Sequence, residues 1–169
     1  AKAAAGAVSI GATEAGARSK GLNDLADAYA GKMKGTKVTM TGPFTGPDIT
    51  KFEAAIKEFE TKTGIDIQYE GTKEFEGSIG AQFQAGAAPD IVDFPQPGLA
   101  AIQVKQGKTI PVSKLGIPDA WLKENYIPSW MDMSTVPGPD GQPVNAGIWQ
   151  RFNAKDLVWY PKAAFDKAG

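Results

Sequence analysis

The sequence predicts an α/β fold in which a mainly parallel sheet is flanked by helices. Three observations predict it. β-prone runs and helix-periodic runs alternate three times between residues 37 and 106, every run is short, and glycine or proline stands between them. Short parallel strands joined by right-handed helical crossovers are the arrangement this order favours.

Each element has its own signal. Residues 1–17 are almost entirely Ala, Gly, Ser and Thr, too poor in large apolar groups to build a core, and read as a tether. Leu22, Leu25, Ala26 and Tyr29 have helical spacing and predict a short helix before Gly31. Lys37-Val38-Thr39-Met40-Thr41 is β-prone and stops at the turn pair Gly42-Pro43. Asp48 is a candidate N-cap for a helix whose apolar face is Ile49, Phe52, Ile56 and Phe59, with Gly64 placed to end it in the left-handed conformation. Ile65 to Glu70 alternates apolar and polar residues, a second strand that Gly71 breaks. Phe75, Ile79 and Phe83 mark a helix ending near Gly86. Ile91-Val92-Asp93-Phe94 is a third strand, closed by Pro95 and Pro97, and a third crossover helix runs from about Gly98 to Gln106. Farther on, Trp121, Tyr126, Trp130 and several prolines predict short helices and loops. Pro137 to Gly141 is a turn, Val144–Phe152 and Asp156–Trp159 resemble strands, and Pro161 suits the first position of a last helix.

Composition narrows the chemistry. The 169 residues carry 18 basic and 19 acidic side chains, a net charge of -1 that gives no electrostatic reason to expect nucleic acid. Cysteine is absent, which excludes disulfides, thiolate metal sites and cysteine nucleophiles. Histidine is absent too, so the usual neutral-pH base and the commonest metal ligand are missing, and no Ser-His-Asp arrangement can be built. Gly42 to Gly46 lacks the ending of a P-loop, and no cofactor or metal is expected.

Ligands of open parallel sheets bind beyond the carboxyl ends of the strands. Those ends are Thr41 to Gly46, Glu70 to Lys73 and Asp93 to Gln96. They supply the carboxylates of Glu70 and Asp93, the hydrogen-bonding groups of Thr45 and Gln96, a lysine and the rings of Phe44 and Phe94. A neutral sugar needs this mixture: acceptors and amides for hydroxyls, and an aromatic face for its C–H surface. Taken one by one, the same residues also serve as helix caps and turn formers. Asp90, at the start of its strand, belongs to the opposite end and reads as structural. Trp149 and Trp159 read as core residues in strand-like runs, and Trp130 as a loop residue available for stacking.

These loops also carry a resemblance. Gly35 to Gly46 (GTKVTMTGPFTG), Thr63 to Gly71 (TGIDIQYEG), Pro89 to Gly98 (PDIVDFPQPG) and Leu157-Val158-Trp159-Tyr160 resemble, in order, segments of the solute-binding proteins of carbohydrate ABC importers. Tyr-Glu-Gly, Pro-Gln-Pro-Gly and Leu-Val-Trp-Tyr look most like the α-glucoside-binding branch, family 1 type. The resemblance implies a periplasmic-binding-protein-like lobe, truncated before the second lobe of a hinged pair. It implies residues 1–35 as tether and short helix, 36–152 as the first lobe, incomplete, and 153–169 as the crossover and start of the second. It also implies no catalysis, an oligosaccharide ligand, a membrane permease as partner, a monomer at full length, and a periplasmic or extracellular location with a possible tether. Carried over by position, the sugar-facing candidates are Thr45, Gly46, Glu70, Asp93, Phe94, Gln96, Trp130, Arg151 and Asn153. The alternatives are a carbohydrate-active enzyme using a carboxylate pair, Glu70 and Asp93, and a stand-alone interaction domain.

Overall fold

The structure, a computed structural model, describes residues 20–150 and 159–168. Its elements are α1 (Lys20–Tyr29), β1 (Lys37–Gly42), α2 (Pro47–Thr63), β2 (Asp66–Gly71), α3 (Phe75–Gln84), β3 (Ile91–Val92) and α4 (Pro97–Lys105). A 3-10 turn at Val112–Leu115 follows, then α5 (Asp119–Asn125), α6 (Pro128–Ser134), β4 (Thr135–Pro137), β5 (Pro143–Asn145) and α7 (Lys162–Ala168).

The three-stranded sheet has the order β2-β1-β3, and both pairings are parallel. β1 is therefore the central strand. Lys37 to Gly42 pair one to one with Asp66 to Gly71, while Met40 and Thr41 face Ile91 and Val92. Parallel neighbours need a crossover, and α2 and α3 provide them. α2 covers one face, where Phe52 meets Tyr69 of β2 at 4.9 Å between ring centroids. α3 covers the other: Phe75, Ile79 and Phe83, one side of the helix, are buried against Val92, Phe94, Leu99 and Ala88. Each such burial contributes about 1.5–3 kcal/mol, so this cluster fixes α3 to the β3 side of the sheet. α1 packs on α2 through an edge-on contact of Tyr29 with Phe59, 5.9 Å between centroids.

The helix ends show where local signals were sufficient. Gly64 caps α2 with φ 71, its N–H donating to the Glu60 carbonyl at 2.8 Å, as its position predicts. Asp48, in contrast, is not the N-cap. α2 starts two residues earlier than that cap would place it, with Gly46 as the cap and Pro47 in the first turn. A proline ring already has the helical φ and no N–H to satisfy, so it opens the helix and leaves Asp48 inside, near the positive end of the dipole. β3 is shorter than its sequence suggests: the ladder ends at Val92, although the Asp93 N–H still donates to the Thr41 carbonyl at 2.8 Å.

Beyond α4 the chain forms short helices and an antiparallel β4–β5 hairpin closed by the Pro-rich turn. The strand predicted over 144–152 is confined to Pro143–Asn145. Residues 146–150 are irregular, and Arg151 to Val158 lie outside the described residues. Trp159 is not a core residue: it is 89% exposed. Among the described residues no helix is long and apolar enough to cross a membrane.

Asp90 has the structural role its position predicts. One carboxylate oxygen accepts from both the backbone N–H (2.9 Å) and the hydroxyl (2.7 Å) of Thr39, and the Asp90 N–H donates back to that hydroxyl at 3.0 Å. These bonds tie the entry of β3 to β1, and they hold the Asp90 carboxyl below its ordinary pKa, the Thr39 hydroxyl contributing most. A depressed folded-state pKa contributes stability that is complete above the unfolded value, about 3.9, and lost as pH falls through the folded one. Asp90→Ala should lower Tm by several degrees at neutral pH, and its gap from the unmodified chain should close on acidification below about pH 4, read by circular dichroism melts.

Candidate functional site

The register of the sheet decides where the three loops emerge. Gly42 pairs with Gly71, and Thr41 with Val92, so β1, β2 and β3 end at one level. The Thr72 N–H donates to the Gly42 carbonyl at 3.1 Å, extending the β1–β2 ladder one step beyond the strands. The Thr41 hydroxyl, buried, donates to the Glu70 carbonyl at 2.7 Å. Thr45, Gly46, Glu70, Asp93, Phe94 and Gln96 thus stand along the carboxyl edge of one sheet.

That edge is closely packed underneath. A Cβ on Gly71 would lie 1.7 Å from the Phe44 carbonyl oxygen. A Cβ on Gly42 would lie 2.4 Å from the Tyr69 hydroxyl and 2.8 Å from the Asp93 Cβ. Both positions exclude any side chain. The Tyr69 hydroxyl accepts from the Phe44 N–H at 3.0 Å, and the two rings stack at 5.3 Å and 20°. Above this support Thr45 is half-buried and Gly46 is exposed with φ 54, leading into α2.

The two carboxylates are not equivalent. Side chains alternate between faces along a strand. Glu70, paired with Thr41, which also pairs with Val92, lies on the α3 face. There it lines an open groove of about 450 Å³ with Thr39, Thr41, Gln68, Thr72 and Gln82. Asp93 follows Val92 and turns to the α2 face, its Cβ against Gly42 and Tyr69. The expectation that Glu70 and Asp93 converge in one cleft therefore meets a register that sends them to opposite faces.

The aromatic candidates are also committed to packing. Phe94 is half-buried, edge-on to Phe75 at 5.9 Å and stacked on Phe83 at 6.3 Å, so its ring serves the core. Trp130 is in α6 rather than a loop, between Tyr126 and Trp149 at 6.5 and 6.1 Å. Its carbonyl accepts from the Trp149 indole N–H at 2.8 Å, and the Trp149 carbonyl accepts from the Tyr126 hydroxyl at 3.0 Å. Burial in this cluster raises the Tyr126 pKa. Gln96 is exposed at the N-cap of α4, and its amide does not cap the helix. Arg151 and Asn153 lie outside the described residues. Tyr69 was not among the candidates: alternation marks it as an inward strand residue, and nothing local reveals that its hydroxyl reaches the next loop.

Residues 46–169 match the signature of the bacterial extracellular solute-binding proteins. The chain belongs to that family. Two relatives share 34% identity with it. One is the alpha-glucosides-binding periplasmic protein AglE of Rhizobium meliloti, aligned over 81% of this chain and 30% of its own length. The other is the osmoprotective compounds-binding protein GgtB of Synechocystis sp., aligned over 79% of this chain and 30% of its own. The chain thus spans about 30% of the length of the curated relatives it matches. The parallel three-stranded sheet flanked by helices is the α/β arrangement that the motifs imply.

The packing at Gly71 gives a direct test. Gly71→Ala should destabilise the chain by roughly 1–3 kcal/mol in urea melts, because its methyl meets backbone that cannot swing aside. Gly77→Ala in α3, where a Cβ has nothing within 4 Å, should be neutral or stabilising by up to about 1 kcal/mol.

Proposed function

We propose that this chain is the opening lobe of the capture component of an ABC importer, which closes on a small glycoside and presents it to a membrane permease. The observation that carries this reading is the alignment of three loops at one sheet edge, on which Thr45, Asp93 and Gln96 stand as hydroxyl, carboxylate and amide residues. Membership in a family of extracellular binding proteins supports a location outside the cytoplasmic membrane. An α-glucoside is the ligand we favour, on the Tyr-Glu-Gly and Pro-Gln-Pro-Gly motifs and the name of the Rhizobium relative. The name of the Synechocystis relative makes an osmoprotectant the competing ligand. In this reading residues 36–152 belong to the first lobe, residues 153–169 carry the chain toward the second, residues 1–35 include the tether, and the complete protein is a monomer. Arg151 and Asn153, at the crossover, complete the proposed contacts.

Capture without catalysis is supported by the split of the carboxylates. Glycoside hydrolysis requires two carboxyl groups flanking one bond, whereas Glu70 and Asp93 leave the sheet on opposite faces. The absence of histidine removes the commonest alternative base.

Calorimetry on the full product of the gene tests the proposal with maltose, trehalose, sucrose and the non-sugar osmoprotectant glycine betaine. Binding of at least one glucoside, with no product released on prolonged incubation, is the expected outcome. Asp93→Ala should weaken it by about 10- to 100-fold, the loss of a hydrogen bond to a charged acceptor. Binding of glycine betaine alone would remove the glucoside reading, and sugar turnover would remove the receptor reading.

A further inference from the structure

We propose that Tyr69 is a positioning residue for the loop between β1 and α2, holding Thr45 and Gly46 in the shape a ligand meets without touching the ligand itself. The inference rests on the solute-binding reading above, and it gives a role to Tyr69, a residue of the Tyr-Glu-Gly motif that is not among the sugar-facing candidates.

The geometry assigns this role through three separate constraints on Phe44, all from β2. The Phe44 N–H donates to the Tyr69 hydroxyl at 3.0 Å. The Phe44 ring, on a residue only 3% exposed, stacks on the Tyr69 ring at 5.3 Å, and both rings contact Phe52 of α2, at 5.7 and 4.9 Å. The Phe44 carbonyl sits where a side chain on Gly71 would be, 1.7 Å from that Cβ position. Both peptide units of Phe44 are thus set by the second strand. The residues that follow are tied on their other side to the first turn of α2: the Thr45 carbonyl accepts from the Asp48 N–H at 3.3 Å and the Gly46 carbonyl from the Ile49 N–H at 3.2 Å. Thr45 and Gly46 thus span two anchors, Phe44 on the second strand and the start of α2, and the Phe44 anchor is the one Tyr69 holds.

Tyr69 also reaches the third loop. Its hydroxyl and the Asp93 Cβ converge on Gly42, at 2.4 and 2.8 Å from one point. A phenol between two loops fits this task. The ring gives rigid contact area, and the oxygen satisfies an N–H that a turn through Pro43 directs away from the ladder. Holding the loop before a ligand arrives removes the ordering cost that binding would otherwise carry.

The test uses Tyr69→Phe in the full gene product, since it keeps the stacked ring and removes only the acceptor. Two readouts are compared with the unmodified protein: amide hydrogen exchange, and calorimetric binding of maltose, trehalose and sucrose. Exchange at Phe44, Thr45 and Gly46 should speed by about tenfold, and affinity for the bound glucoside should fall by about tenfold, the weight of one lost hydrogen bond. Exchange within Val38 to Thr41 and at Ile67 should stay unchanged, which a merely destabilising substitution would not allow. Unaltered loop exchange, or faster exchange spread evenly over the strands, overturns the proposal. So does wild-type affinity in a variant whose loop has loosened. A wild-type protein that binds none of the three sugars defeats the functional reading instead, and the exchange pattern then still decides whether Tyr69 holds the loop.

Discussion

The rest of this lobe depends on β1 being hydrogen-bonded on both sides in a single register. Its six residues pair in full with β2, and its last residues take β3 on the other edge. Side-chain period in a strand is two, so a slip of one residue on either side would exchange the two faces. The register is secured at both ends by chemistry outside the ladder. At the entry end the Asp90 carboxylate clamps Thr39. At the exit end Gly42 and Gly71 are paired, and each is too tightly surrounded to accept a side chain. A lobe this small has little core to spare, and these polar and steric pins supplement the Phe75, Ile79 and Phe83 cluster.

From that register follows the character of the carboxyl edge. Ending three strands at one level brings the three loops to one edge of the sheet. It also separates Glu70 from Asp93 by the thickness of the sheet, which is a poor arrangement for chemistry that needs two carboxylates on one bond. The gathering of the loops at one edge and the separation of the two carboxylates are thus two consequences of one pairing pattern. The rings near this edge are used for support rather than display: Phe44 and Tyr69 hold the first loop, and Phe94 seals the α3 core.

The chain belongs to the bacterial extracellular solute-binding proteins and matches two curated relatives at 34% identity. The matched segment is the part of those proteins that this chain spans, about 30% of their length.

Local signals determined much of this protein. The periodicity of Phe75, Ile79 and Phe83, the alternation in Ile65 to Glu70 and the stop at Gly64 depend on near neighbours in the chain, and these elements stand where the sequence places them. The order of strands and helices and the expectation of a parallel sheet follow from them. Tertiary structure alone decided what depends on contacts between distant residues. Which face Glu70 and Asp93 take is a matter of register between strands far apart in sequence. Whether Phe94 meets a ligand or the core depends on where α3 lands, and Trp159 proved exposed although its run is apolar. The Tyr69 hydroxyl becomes visible as a support only when β1 and β2 lie side by side, because its partner, Phe44, is 25 residues away in the chain.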